Sequence, residues 1–175
     1  MIKNIKTLIT EQEIKTRITS LADEINKELG GEEIVAICSL KGAVVFSTDL
    51  IRELNMPLNL EFIEISSYGN ETSSKGSLNL IKNINANLQD KTVLLIEDIV
   101  DTGQTLEYIK NLINQHKPKR LLTCVLLDNP ARRIKPIAAD FTGFKIPNKF
   151  VLGYGLDYEQ KYRNLSYIGY LEEQL

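Results

Sequence analysis

A buried strand that ends in carboxylates and turns straight into a helix is the feature of this chain that leaves the fewest folds open. Residues 92–105 read Thr-Val-Leu-Leu-Ile-Glu-Asp-Ile-Val-Asp-Thr-Gly-Gln-Thr. The run Thr92–Ile96 has no charged position to turn toward water, so it predicts a strand covered on both faces, as in parallel sheets flanked by helices. Helical periodicity over Gln104–Gln115 follows directly. In an open α/β sheet, ligands bind outside the carboxyl ends of the strands, which puts the acidic turn where a site is expected.

The rest of the chain fits that frame. Ile14, Ile18, Leu21, Ile25 and Leu29 recur at helical spacing over Glu11–Leu29. Thr10 and Glu13 predict a capping box, and Gly30-Gly31 the stop. Ile34–Cys38 and Arg120–Leu127 read as strands, Ala43–Asn55 as a helix ending before Pro57, and Leu60–Ser66 as a strand of mixed pattern. Ser67–Leu78 is polar and reads as a long loop of the functional kind. Beyond residue 127 the pattern shortens, with strands expected near Ala139–Phe141, Phe150–Leu152 and Ser166–Leu171. Alternating strands and helices predict a parallel α/β sheet, with the last third as a flap over its carboxyl edge. No internal repeat or linker divides the chain.

At 175 residues the length suits one domain with its own core. A net charge of -2 argues against a nucleic-acid-binding face. The basic pairs in Lys117–Arg120 and Arg132–Arg133 are expected to be solvated surface. Cys38 and Cys124 sit in apolar strands and are expected to be reduced and buried. The segment Met1–Lys6 is too interrupted by charge for a signal sequence, and no apolar run approaches the roughly 20 residues of a membrane helix. A cytoplasmic enzyme without a membrane partner is the expectation.

The acidic turn narrows the chemistry. Backbone amides and hydroxyls of Thr102, Gly103, Gln104 and Thr105 would cradle a phosphate at the helix N-terminus. Three carboxylates beside a phosphate make sense when the ligand also carries hydroxyls or a cation. Glu97 and Asp98 could accept from ribose hydroxyls, and Asp101 could take a proton. The plainer reading makes Asp101 a helix N-cap and Glu97-Asp98 a solvated strand end; the ordered combination argues against it. His116, the one histidine, lies late in a helix and is unsuited to catalysis.

Ile96–Thr105 (IEDIVDTGQT) closely resembles the diphosphoribose-binding signature of the type I phosphoribosyltransferases, in the hypoxanthine-guanine branch. The likeness runs from Ser39-Leu40-Lys41-Gly42-Ala43 to Arg163. It implies a type I phosphoribosyltransferase fold: one domain over 1–175, with a core of about 30–130 and a hood from the N-terminal segment and about 131–175. It further implies transfer of a phosphoribosyl group from 5-phosphoribosyl-1-diphosphate to hypoxanthine or guanine. The products would be a nucleoside monophosphate (IMP or GMP) and pyrophosphate, with Mg2+ as cofactor and a homodimer or homotetramer as assembly. By the same resemblance Lys41 and Gly42, in a loop whose Leu40–Lys41 peptide can be cis, meet the diphosphate with Ser67, Tyr68 and Arg163. Glu97, Asp98, Asp101 and residues 102–105 hold the ribose 5'-phosphate. Asp101 is the general base for purine N7. Phe150 stacks on the base, the Val151 backbone reads its edge, and Asp157, with Glu97 and Asp98, faces the metal.

One position departs from the pattern. In Leu127-Asp128-Asn129-Pro130-Ala131-Arg132-Arg133, Asn129 stands where the family carries a purine-recognising lysine. Loss of that charge predicts weaker or less selective 6-oxopurine binding, by about ten- to a hundredfold. Transfer to xanthine or adenine, and a regulator that senses phosphoribosyl diphosphate without turnover, are the competing readings. The absence of a basic face disfavours the regulator.

Overall fold

The computed structural model describes residues 5–68 and 77–172. Its elements run β1 (Ile5–Ile9), α1 (Glu11–Leu29), β2 (Ile34–Leu40), α2 (Val44–Glu53), β3 (Leu58–Tyr68), β4 (Ser77–Lys82), β5 (Thr92–Val100), α3 (Gln104–Gln115), β6 (Arg120–Asp128), β7 (Phe141–Lys145), β8 (Val151–Leu152) and β9 (Ile168–Leu171). Six strands form one sheet in the order β4-β3-β2-β5-β6-β7. All neighbours in it are parallel except β4, which runs antiparallel to β3 at the edge. The expected parallel α/β sheet is therefore present.

Alternation along the central strands divides the core in two. Ile34 and Ala36 of β2, with Leu94 and Ile96 of β5, pack against α1 and α2 through Ile18, Leu21, Ile25, Phe46 and Leu50. Val35 and Ile37, with Val93 and Leu95, face the other way and pack on Leu106, Ile109 and Ile113 of α3. Every one of these strand residues is buried, which is why β2 and β5 read as continuous apolar runs with no polar face. Among the described residues no helix is long and apolar enough to cross a membrane.

Local signals set the helix ends. Thr10 Oγ1 accepts from the Glu13 amide at 3.3 Å, and Glu13 returns the contact to the Thr10 amide at 2.8 Å. Gly30 closes α1 in the left-handed conformation that costs a glycine little. Arg17 then clips α1 to β7, donating to the Gly143 and Thr142 carbonyls at 3.0 and 2.7 Å.

The differences from expectation are instructive. β1 forms because it pairs with β9, far along the chain, in a second sheet ordered β1-β9-β8. Nothing local in Ile5-Lys6-Thr7-Leu8-Ile9 announces that partner. The ends of the polar segment 67–78 are strand, with Ser67 opposite Leu78 and Tyr68 opposite Ser77, because the hairpin satisfies their backbone groups. β7 lies at Phe141–Lys145, later than the Ala139–Phe141 expected, since Asp140 anchors the strand start by accepting from Thr123 N and Oγ1 at 2.8 Å.

Removal of the Thr10 cap by Thr10→Ala is expected to cost about 1 kcal/mol. Chemical denaturation should read that loss directly, and the melting temperature should fall by about 2–4 °C.

Candidate active site

β2 leads to β3 on one side of the sheet, whereas β5, β6 and β7 extend on the other. The strand order therefore reverses between β2 and β5, and the turns leaving these two strands diverge to frame a crevice. Lys41 and Gly42 leave β2 there; Glu97 to Gly103 leave β5. The Leu40–Lys41 peptide is cis. The two turns touch: a Cβ on Gly42 would lie 1.6 Å from Asp98 Oδ2, so only glycine lets them meet. Lys41 is exposed, with its Nζ 4.0 Å from Glu64 Oε1 on β3.

Glu97 is 5% exposed, and its Oε1 has no hydrogen-bond partner. Burial, and then the adjacent Asp98 charge, raise its pKa well above the ordinary 4.5. Asp98 is also raised, chiefly by desolvation, although its Oδ1 accepts from the Ile99 amide at 2.7 Å. Two crowded carboxylates with an unpartnered oxygen favour hydroxyl donors or a cation. Among the described residues no three His, Cys, Asp or Glu side chains converge as a metal cage. A hard ion that takes one or two carboxylates plus phosphate oxygens would still suit this set.

Asp101 does not cap α3. The N-cap is Gly103, at φ 85°, and no side chain caps the helix. Beyond the Gln104 amide, the first amides of α3 are thus left for an external acceptor, which the helix dipole favours as an anion. A cavity of about 190 Å³ is lined by Glu97, Asp98, Asp101, Thr102, Gly103 and Thr105, among others. Gln104 begins the helix, and its amide lies 3.4 Å from Thr102 Oγ1. On Asp101, Oδ2 pairs with Arg132 Nη1 at 2.8 Å, while Oδ1 is buried without a partner.

Of the basic pair expected on the surface, Arg132 is exposed but pairs with Asp101, whereas Arg133 is drawn in against this site. Arg133 donates to the Asp101 carbonyl at 3.0 Å and the Val100 carbonyl at 3.1 Å, and also to the Ile137 carbonyl and to Asp128. Spacing alone would not have found the pair. The Pro130–Arg132 3-10 turn follows Asn129, whose backbone N–H is bonded to the Val100 carbonyl, and so brings the pair beside the end of β5. Lys117–Arg120, by contrast, is exposed at Lys119 and Arg120, which pair with Glu32 and Glu28.

The C-terminal segment closes against the same loops. Gly155 has φ 99°, and a Cβ there would meet the Gly42 carbonyl at 2.2 Å. Arg163 donates to the Gly155 carbonyl at 2.8 Å and pairs with Asp157 Oδ1 at 2.8 Å. Tyr154 anchors this turn by donating to Asp49 Oδ2 on α2 at 2.5 Å. Val151 is buried. Phe150 is 55% exposed and meets Tyr158 edge-on, in a separate depression with Lys149 and Tyr170. Asn129 is 1% exposed; its backbone N–H donates to the Val100 carbonyl at 2.9 Å, and its side-chain Oδ1 is unpartnered. The structure thus gathers Lys41, Gly42, Glu97, Asp98, Asp101, residues 102–105, Asp157 and Arg163 around one crevice, and leaves Phe150 beside it. The side chains of Ser67 and Tyr68, and residues 69–76 of the loop expected over Ser67–Leu78, lie outside the described residues.

Comparison with known proteins agrees with this geometry. The phosphoribosyl transferase domain model matches residues 4–159. A hypoxanthine-guanine phosphoribosyltransferase of Bacillus subtilis is 43% identical over 167 residues, covering 95% of this chain and 93% of that protein. The bifunctional protein TilS/HprT of Listeria innocua is 45% identical over 170 residues, but the chain spans only 26% of its length. A crystal structure of a hypoxanthine-guanine phosphoribosyltransferase from Bacillus anthracis superposes with a TM-score of 0.92 at 43% identity, covering 97% of this chain and 100% of that one. By the domain match and these relatives, the chain belongs to the phosphoribosyl transferase domain family, among the hypoxanthine-guanine phosphoribosyltransferases.

Proposed function

We propose that this chain transfers the phosphoribosyl group of 5-phosphoribosyl-1-diphosphate to hypoxanthine or guanine, releasing IMP or GMP and pyrophosphate. The observation that carries the proposal is the meeting, at the β2/β5 crevice, of an uncapped helix N-terminus with a carboxylate not used as its cap. A phosphate on the α3 amides and hydroxyls of Thr102 and Thr105 would set the ribose beside Glu97 and Asp98, whose oxygens accept from its two hydroxyls.

Displacement at the anomeric carbon then proceeds through an oxocarbenium-like transition state. The C1'–O bond to diphosphate breaks while a purine nitrogen forms the new C–N bond. Asp101 takes the proton from N7, so that the base attacks with its electron pair free. Lys41 and Arg163, with the Gly42 backbone, receive the negative charge that builds on the leaving diphosphate. Asp157, with Glu97 and Asp98, would hold a Mg2+ ion, which supplies charge neutralisation on the diphosphate oxygens. Phe150 offers an exposed ring on which the base can stack, and Val151 carries backbone groups that read its edge.

The direct test is turnover of the diphosphate with Mg2+ against hypoxanthine, guanine, xanthine and adenine in turn. Nucleotide should form from the first two; formation only from adenine or xanthine would reassign the base, and no transfer at all would sink the proposal. Asp101→Asn should lower kcat by about 10²- to 10⁴-fold, with diphosphate binding nearly unchanged. Equilibrium binding alongside initial rates separates these two effects.

A further outcome concerns pH. Glu97 retains its proton in the folded chain above the ordinary 4.5, toward about 8, where the unfolded chain gives it up. The folded state then binds more protons, so stability should fall as pH rises through that window. Melting of the unliganded protein should show the decline, and Glu97→Gln should flatten it.

A further inference from the structure

Arg132 stands out among the cations around Asp101. The Arg133 guanidinium is spent on the Val100, Asp101 and Ile137 carbonyls and on Asp128. Lys135 Nζ is held by Glu107 Oε2 at 2.8 Å. Asn129, on the same turn as Arg132, carries no charge and is 1% exposed. Arg132 is different: its side chain is 50% exposed, and its one ion pair among the described residues is Nη1 to Asp101 Oδ2 at 2.8 Å. A guanidinium has five N–H donors in a rigid fork and no acceptor, so most of its hydrogen-bonding capacity remains free.

Resting on the proposed function, we infer that Arg132 determines base specificity by donating to the 6-oxo group of the purine while it remains paired with Asp101. The argument is geometric. If Asp101 receives the N7 proton, the base presents its N7 edge to that carboxylate. The 6-substituent is the neighbour of N7 on this edge, close enough that one arginine fork spans both positions in guanine. A guanidinium already anchored on Asp101 Oδ2 therefore lies beside the 6-position. Its free N–H groups meet an acceptor in hypoxanthine and guanine, but another donor in adenine. Because Arg132 can only donate, the 6-amino base leaves donors facing donors. The charge that Asn129 lacks is thus supplied three residues later, from the far end of the same 3-10 turn.

Binding of two nucleotides tests this: inosine 5'-monophosphate, and purine riboside 5'-monophosphate, which lacks the 6-oxo group. Because the analogue also lacks the N1 proton, the reading is the change in discrimination between the wild-type chain, Arg132→Met and Arg132→Lys, each measured by calorimetry with transfer to hypoxanthine assayed in parallel. The wild type should bind inosine monophosphate about ten- to a hundredfold more tightly than its 6-deoxo analogue, as expected for a charge-assisted hydrogen bond. Arg132→Met should bring inosine monophosphate down to the level of the analogue, leaving the analogue within about threefold. Arg132→Lys, which keeps a donor on a flexible stem, should recover part of the difference. Equal losses for both nucleotides would mean that Arg132 merely positions Asp101, and would overturn the inference alone. Undiminished discrimination in Arg132→Met would overturn it as well. A wild type that neither transfers to any purine nor binds either nucleotide would remove the functional reading, and this inference with it.

Discussion

The parallel ladder between β2 and β5, from Ile34 opposite Thr92 to Cys38 opposite Ile96, sets where the two functional turns leave the sheet. Both strands are buried on both faces, so a slip of one residue would send a whole row of side chains into the wrong core half. That cost makes the register a strong constraint, and with it the approach of Gly42 to Asp98. The same burial governs the two thiols. Cys38 is pushed up to about 11, mainly by desolvation, and Cys124 higher for the same reason. Both stay protonated and behave as small core residues rather than nucleophiles.

Charge organises the crevice in opposition to packing. Glu97 and Asp98 crowd at the end of β5, and Glu97 has an oxygen that nothing in the fold satisfies. Buried polar atoms without partners are rare, and here the defect coincides with uncapped helix amides a few residues on. A polyanion with hydroxyls, accompanied by a cation, would satisfy both at once. The fold alone leaves a surplus acceptor beside a row of surplus donors, separated by a single turn.

Much of this was legible before any coordinates. The capping box at Thr10 and Glu13, the helix Gln104–Gln115 and the apolar runs of β2, β5 and β6 follow from local rules that the structure obeys. The nearness of the Lys41-Gly42 turn to the acidic turn was legible only through the resemblance in sequence. What stayed hidden depended on partners distant in the chain. β1 takes its pairing from β9, and β4 from β3. Arg132 and Arg133 looked like a solvated basic pair because only the fold brings Asp101 and Val100 against them. Asn129 was visible as a departure from the family pattern, but its burial was not.

The Arg133 clip has one more consequence. Its donors join the turn after β5, through the Val100 and Asp101 carbonyls, to the connection leading into β7, through the Ile137 carbonyl. Most surface connections absorb insertions at little thermodynamic cost. This one works as a ruler: the span from Arg133 to Ile137 is measured against the acidic turn itself. A residue added or removed there would shift the Asp101 backbone along with the Ile137 side chain that packs on the core. The length of that connection is therefore coupled to the geometry of the crevice as well as to the core on which Ile137 packs, and a stretch that looks like a dispensable surface link is held to a fixed length by the hydrogen bonds of one guanidinium.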